Sequence, residues 1–274
     1  MRMSLFQVSF TTASMLVVTA GYAHADNWID DGRTAASDFV KDIKNDPDWK
    51  VRVGGGLSFT PTYIGSNRSE VNPVPVVDAQ YKDGLFFANM TGVGSYFLQG
   101  DDYKVGAAVG YQNGRDQDDD IHNLRGMGDV DGSLTANLLG KYQYGPVFFT
   151  GKVASAMTGD YGTTADVYVG SGYPLMDKLF LVGSVGTTWG DDEHMKNLFG
   201  VSSGQAVRSG YSRYDASAGL QDLSAILGLN YTVNTHWNVN TTLKASQLVG
   251  DAKDSPIVKD SFAPSMFVTA GYKF

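Results

Sequence analysis

The side chains best suited to chemistry are few, and most stand beside carboxylates. Asp118-Asp119-Asp120-Ile121-His122 and Asp191-Asp192-Glu193-His194 each bring an acidic run to one imidazole. Oxygen ligands and imidazole together suit a divalent cation: carboxylates favour Ca²⁺ or Mg²⁺, and His favours Zn²⁺ or Ni²⁺. Neither run has ligand spacing. Both read as solvated acidic loops, so the sequence assigns no metal. Catalysis needs a nucleophile or an acid–base pair held in a rigid shell. Asp and Ser lie near His, but no nucleophile-elbow signature occurs and there is no Cys. No catalytic residue and no cofactor site is assigned, and the expectation is a protein that is not an enzyme.

Two glycine-rich stretches carry other expectations. Gly54-Gly55-Gly56 lacks the Lys-Ser/Thr of a phosphate loop and no helical pattern follows it, so it reads as close-packed strand. In Arg125-Gly126-Met127-Gly128-Asp129 two glycines allow a tight turn. Arg125 is placed to pair with Asp129 or Asp131, which predicts a structurally fixed loop. His236 before Trp237 reads as a turn cap and an interface anchor.

The elements that must position these residues are strands. From Lys50 onward apolar residues recur at every second place. Tyr103, Val105, Ala107, Val109 and Tyr111 form one face, opposed by Lys104, Gly106, Ala108 and Gly110. Leu179 to Trp189, Leu223 to Val233 and Met266 to Phe274 repeat the pattern, with aromatics at segment ends. A lipid-facing side, a small and polar lumen side and aromatic girdles define a transmembrane β-barrel. Candidate strands are 50–60, 72–82, 85–97, 103–112, 132–142, 147–156, 164–173, 179–188, 213–220, 223–233, 236–247 and 264–274. The fold class expected is all-β, an antiparallel barrel of about 12 strands, with 10–14 admissible. An even count places both termini on the periplasmic side. A soluble β-sandwich also alternates, but strand number and length and the one-sided glycine favour the barrel. The long connections, 61–71, 113–131, 189–212 and 248–263, fall on both sides of the strand parity.

Composition agrees with this class. No run reaches 18 apolar residues, which excludes helical membrane spans. Mean hydropathy is only −0.18, alongside 33 Gly, 15 Tyr and 14 Phe. Residues 1–25 read as a signal peptide, with Arg2 as the basic start and Ala23-His24-Ala25 before a cut at Asp26. Residues 26–49 lack alternation and read as a periplasmic lead-in, with the barrel at 50–274. A net charge of −8 argues against nucleic acid as a partner. Lumen-side Lys104, Ser224, Asn230, Thr232 and Lys273 form no single-sign ladder. If solutes pass, weak selectivity with a slight cation preference is expected.

Several stretches, taken in order, resemble the MltA-interacting protein (MipA/OmpV) family of outer-membrane proteins. They are Pro61-Thr62-Tyr63-Ile64-Gly65-Ser66, Pro73-Val74-Pro75, Gly114-Arg115 and Leu124 to Asp131. Tyr144-Gly145-Pro146, Ser209-Gly210-Tyr211, His236-Trp237, Leu248 to Val258 and Gly271-Tyr272-Lys273-Phe274 continue the likeness. The resemblance implies a location in the cell outer membrane, contact with its lipid, and Phe274 as the signal read by the barrel-assembly machinery. It further implies roles in scaffolding peptidoglycan-remodelling enzymes, periplasmic murein hydrolases or synthases, in porin-like behaviour, or in adhesion. Asn67 stands where members of that family usually carry Asp. The reading is therefore a non-catalytic scaffold whose long connections supply the docking surface, with a weakly selective porin-like channel for small solutes as the alternative.

Overall fold

A computed structural model describes residues 48–274. The expected signal peptide lies outside the described residues, as does the lead-in except for Asp48 and Trp49. Twelve strands form: β1 (Trp49–Pro61), β2 (Ser69–Tyr81), β3 (Phe86–Asn89), β4 (Gly92–Gln99), β5 (Tyr103–Gln112) and β6 (Ser133–Tyr144). They continue as β7 (Val147–Ala156), β8 (Thr163–Met176), β9 (Leu179–Gly190), β10 (Gly219–Thr232), β11 (Trp237–Leu248) and β12 (Phe262–Lys273). Each pairs antiparallel with the next, and β12 pairs with β1 to close the barrel. Closure joins the first strand to the last and so limits the open edge that lipid would penalise.

The strand number agrees with the expectation, but two of its members do not. The expected strand 85–97 is two strands, β3 and β4, because the chain reverses at Met90 and Thr91, with Gly92 at a φ of +126°. The expected strand 213–220 is largely loop. Of it, only Gly219 and Leu220 join β10, and Tyr214 makes an isolated bridge to Val201. One split and one loss cancel in the total while shifting every parity between them. With the strands corrected, connections 62–68, 113–132, 157–162, 191–218 and 249–261 all fall at one end, which we call the loop end. The tight turns 100–102, 145–146, 177–178 and 233–236 fall at the other, the turn end, where β1 begins and β12 finishes. The uneven parity expected from sequence disappears.

Alternation sets the two faces. Leu57, Val71, Val93 and Val167 point outward and stay more than half exposed, whereas Ser58, Asn137 and Ser224 on the opposite face are buried. Lys104, Asn230, Thr232 and Lys273 share that inner face by register. The barrel seam depends on glycine. A Cβ on Gly54 would stand 1.9 Å from the Ala270 carbonyl oxygen, and one on Gly56 would stand 2.0 Å from that of Val268. No side chain fits there, which accounts for the glycine run without a phosphate.

Because β3 is so short, β2 pairs with it only over Ala79–Tyr81. Among the described strands, none pairs with Ser69–Asp78 on that side. Pro73 and Pro75 sit on this stretch opposite Leu57 and Gly55. A proline cannot donate to a ladder, so its nitrogen must face away from β1, toward the edge where a donor would be left unpaired.

Candidate functional site

The loop end is a folded cap. Its helices are α1 (Ile121–Leu124), α2 (Asp192–Phe199), α3 (Ser203–Ser209) and α4 (Gly250–Asp254). Met195, Leu198 and Phe199 fall on one face of α2, as i, i+3 and i+4 positions must. They pack with Val130, Tyr161, Ala216, Leu248 and Ala252. Met127, Val201 and Ile257 form a neighbouring cluster, covered by Tyr211 and Tyr214. Each large side chain buried this way contributes roughly 1.5–3 kcal/mol, so four connections form one core.

Local signals start and stop these helices. The Asp191 side chain accepts from the His194 backbone N–H at 2.8 Å and caps α2. Ser202 and Gln205 cap each other's backbone at α3, and Gly210 ends that helix with a φ of +79°. Such caps satisfy amides that the first turn leaves open.

The acidic runs are therefore not simply solvated. Asp118, Asp119, His122, Asp192 and Glu193 are exposed, but Asp120 of the first run and Asp191 and His194 of the second turn inward. Asp120 is 3% exposed; it accepts from Asn123 Nδ2 at 2.9 Å and Ser66 Oγ at 3.2 Å, with Arg68 Nη1 at 3.5 Å. Burial alone would raise its pKa, yet these hydrogen bonds and the Arg68 charge outweigh it and hold the carboxyl below its ordinary value. Asp191 behaves alike: burial opposes ionisation, and the amides of His194 and Thr163 prevail. Asp119 is raised, first by burial and then by neighbouring carboxylates, Asp116, Glu70 and Asp129.

His194 is 1% exposed. Its Nδ1 lies 3.0 Å from the Tyr161 carbonyl oxygen and its Nε2 2.6 Å from Gln221 Oε1. Gln221 Nε2 donates onward to Asp222. The imidazole thus locks α2 to the β7–β8 connection and to the bulge that opens β10. No group of three metal-ligating side chains forms among the described residues. His236 lies at the turn end, its ring stacked on Tyr272 at 5.3 Å, with Trp237 edge-on to the same tyrosine. The turn itself is capped by Asn234, whose Oδ1 accepts from the His236 and Trp237 amides, and not by the imidazole.

The Arg125–Asp129 loop is fixed as expected, but by other contacts. Gly126 and Gly128 take positive φ, and both amides donate to Gln117 Oε1. Gln117 N in turn donates to Asp129, and Arg208 Nε to the Gly126 carbonyl. Arg125 makes no ion pair with a described residue; it is exposed, and a solvated guanidinium gains little from pairing. Arg115, given no role by the sequence, is 5% exposed and donates to the Leu198 carbonyl at 2.8 Å. Tyr63 OH similarly donates to the Ile257 carbonyl across the cap. Both lie in the stretches that carried the family resemblance, and that was their only signal.

Two concavities open on the surface. One of about 770 Å³ lies on the outward wall between Val169, Val185, Ala225, Leu243 and Met266, where lipid would lie. Another of about 480 Å³ opens on the cap between Asp129, Asp160, Lys196, Arg213 and Asp215. At the turn end, Lys50 pairs with Asp83 at 2.5 Å, and that hydrogen bond, then the Lys50 charge, lowers the Asp83 pKa. Trp49, Tyr81, Tyr142 and Phe149 girdle the same rim.

A closed twelve-stranded antiparallel barrel with an apolar outer wall and a folded loop-end cap is a transmembrane β-barrel. Residues 53–274 match the family model described as MltA-interacting protein MipA, and the chain belongs to that family. The MltA-interacting proteins of Escherichia coli (strain K12) and Shigella flexneri are each 24% identical over 238 residues, covering 82% of this chain and 90% of the relative. Solved structures similar to it include OmpT of Vibrio cholerae, at 11% identity and TM-score 0.36, over 83% of this chain and 97% of that one. Another is the outer-membrane channel DcaP of Acinetobacter baumannii, at 8% identity and TM-score 0.38, over 82% and 96%.

Proposed function

We propose that this chain is an outer-membrane barrel serving as a non-catalytic docking protein for a peptidoglycan-remodelling enzyme, which it engages at its turn end. The observation carrying this reading is the match of residues 53–274 to a family whose model is described as MltA-interacting. Barrels of this class sit with short turns in the periplasm and long loops outside. That orientation changes where docking belongs. The long connections, expected to be the docking surface, lie at the end opposite the strand termini and spend their apolar side chains on their own core. The turns and the two strand termini, at the other end, then face the periplasm. The cap also disfavours a freely open channel.

Binding of purified MltA to the full chain in nanodiscs, read by interferometry, tests this. The paired change D177K/K178E in the β8–β9 turn is expected to weaken binding, while V207E on the exposed face of α3 leaves it unchanged. Absence of binding, or loss on V207E with none on the turn change, would overturn it.

A further inference from the structure

The net charge of the chain hides an opposite charge inside the barrel. At the turn end, β1 carries Lys50 and Arg52 on its inner face, β5 carries Lys104, β6 Lys141 and β12 Lys273. Register sets two pairs of like charge directly opposite each other: Arg52 faces Lys273, and Lys104 faces Lys141. Like charges in direct cross-strand opposition destabilise a sheet, so their repetition at one mouth needs a reason. On the strands' inner face here Asp78 is the carboxylate beside them, with Asp83 in the adjoining turn; Asp48, Asp101, Asp102 and Asp177 also stand on this rim. Asp78 lies 3.4 Å from Arg52 Nη2, and Asp83 lies 2.5 Å from Lys50 Nζ.

The cations form one cluster rather than scattered points. Lys104 Nζ donates to the Asp83 carbonyl oxygen, which brings it beside Lys50. Lys104 and Lys141 both lie over the ring of Tyr96, at 5.9 and 5.1 Å from its centroid. Tyr96 is itself buried against Phe87, Ala108 and Leu139. This apolar floor keeps the two ammonium groups partly out of water, where a charge acts more strongly. A recessed mouth whose inner face is mostly cationic, with low-dielectric walls, focuses its field on a counter-ion.

We infer that the turn-end mouth of the lumen is a binding site for small anionic solutes bearing several carboxylate or phosphate groups, held between Lys104, Lys141, Arg52 and Lys273. This reverses the slight cation preference that total charge suggests. It is independent of the docking reading, since it concerns the lumen and needs no protein partner.

The test is calorimetric titration of the detergent-folded full chain with citrate at low ionic strength. Saturable binding is expected, weakening as salt is raised. K104Q/K273Q is expected to lower the affinity about fivefold or more, as removal of two of the facing charges would. K253Q, exposed on α4 at the opposite end of the barrel, leaves it unchanged. Heat-modifiable gel mobility reports whether each variant folds. Should the double variant misfold, K273Q alone, at the exposed end of β12, is expected to lower affinity about twofold. Absence of saturable citrate binding, or equal affinity in the wild type and a folded Lys variant, would overturn the inference.

Discussion

The two ends of this barrel are built on opposite principles. At the loop end, charge is turned inward: Asp120 and Asp191 accept hydrogen bonds, Arg115 donates through Nη1 to the Leu198 carbonyl, and apolar side chains pack around them. At the turn end, charge is left in tension, with like-signed side chains directly opposed along two strand pairs. The first arrangement stabilises and the second does not. Interactions that lower stability without a structural role are where function is to be sought. The difference assigns the cap to closure and the turn end to recognition.

The largest expected effect is in the cap. Phe199 is fully buried in its core, and Phe199→Ala should destabilise the cap by about 3–5 kcal/mol. Hydrogen exchange should then show 191–218 opening while β5 to β8 keep their protection; equal loss everywhere would mean that cap and wall are one cooperative unit. His194→Ala removes the imidazole that bridges the Tyr161 carbonyl and Gln221 and leaves buried polar partners unmet, at about 2–4 kcal/mol, read the same way. Acid should loosen the cap as well. The folded pKa of Asp120 lies below its unfolded value, and so does that of Asp191. Their stabilisation is fully present above the unfolded value, about pH 4, and is lost as pH falls through the folded ones. Protease sensitivity of the cap should stay flat from pH 7 to 5 and rise below about 4. The smallest effect has the opposite sign. Lys273→Gln relieves a like-charge pair and should raise barrel stability by a few tenths of a kcal/mol, measured by denaturant unfolding in detergent. A loss there would mean that Lys273 is stabilising and the contrast between the ends fails.

Much of the wall was legible in the sequence because a period of two is a local property. Tyr103–Tyr111 and Leu223–Val233 show their faces without knowledge of their neighbours. Where the pattern misled, a local cue was ambiguous. Residues 85–97 are rich in apolar and aromatic residues from Leu85 to Ala88 and again at Tyr96 and Phe97, and only Gly92 with the short turn before it divides them. Tyr214 and Ala216 alternate too, but they pack into the cap. The cap itself was not legible. Asp118 and Asp120 are chemically identical in sequence, and long-range contacts with Ser66 and Arg68, more than 50 residues away, make one of them buried structure. The basic mouth was hidden for the same reason, since Lys104 and Lys141 become opposed only through the β5–β6 register.

Which end faces out decides the roles of the two ends, and the chain offers a clean probe because it has no cysteine. Val207→Cys places a thiol on the most exposed face of the cap, and Lys178→Cys places one in a turn at the opposite end. Intact cells expressing each variant are treated with a membrane-impermeant maleimide, before and after permeabilisation of the outer membrane. Labelling of Val207→Cys on intact cells, and of Lys178→Cys only after permeabilisation, is the predicted result. The reverse pattern would put the cap in the periplasm and the basic mouth outside, and would contradict the assignment of recognition to the turn end.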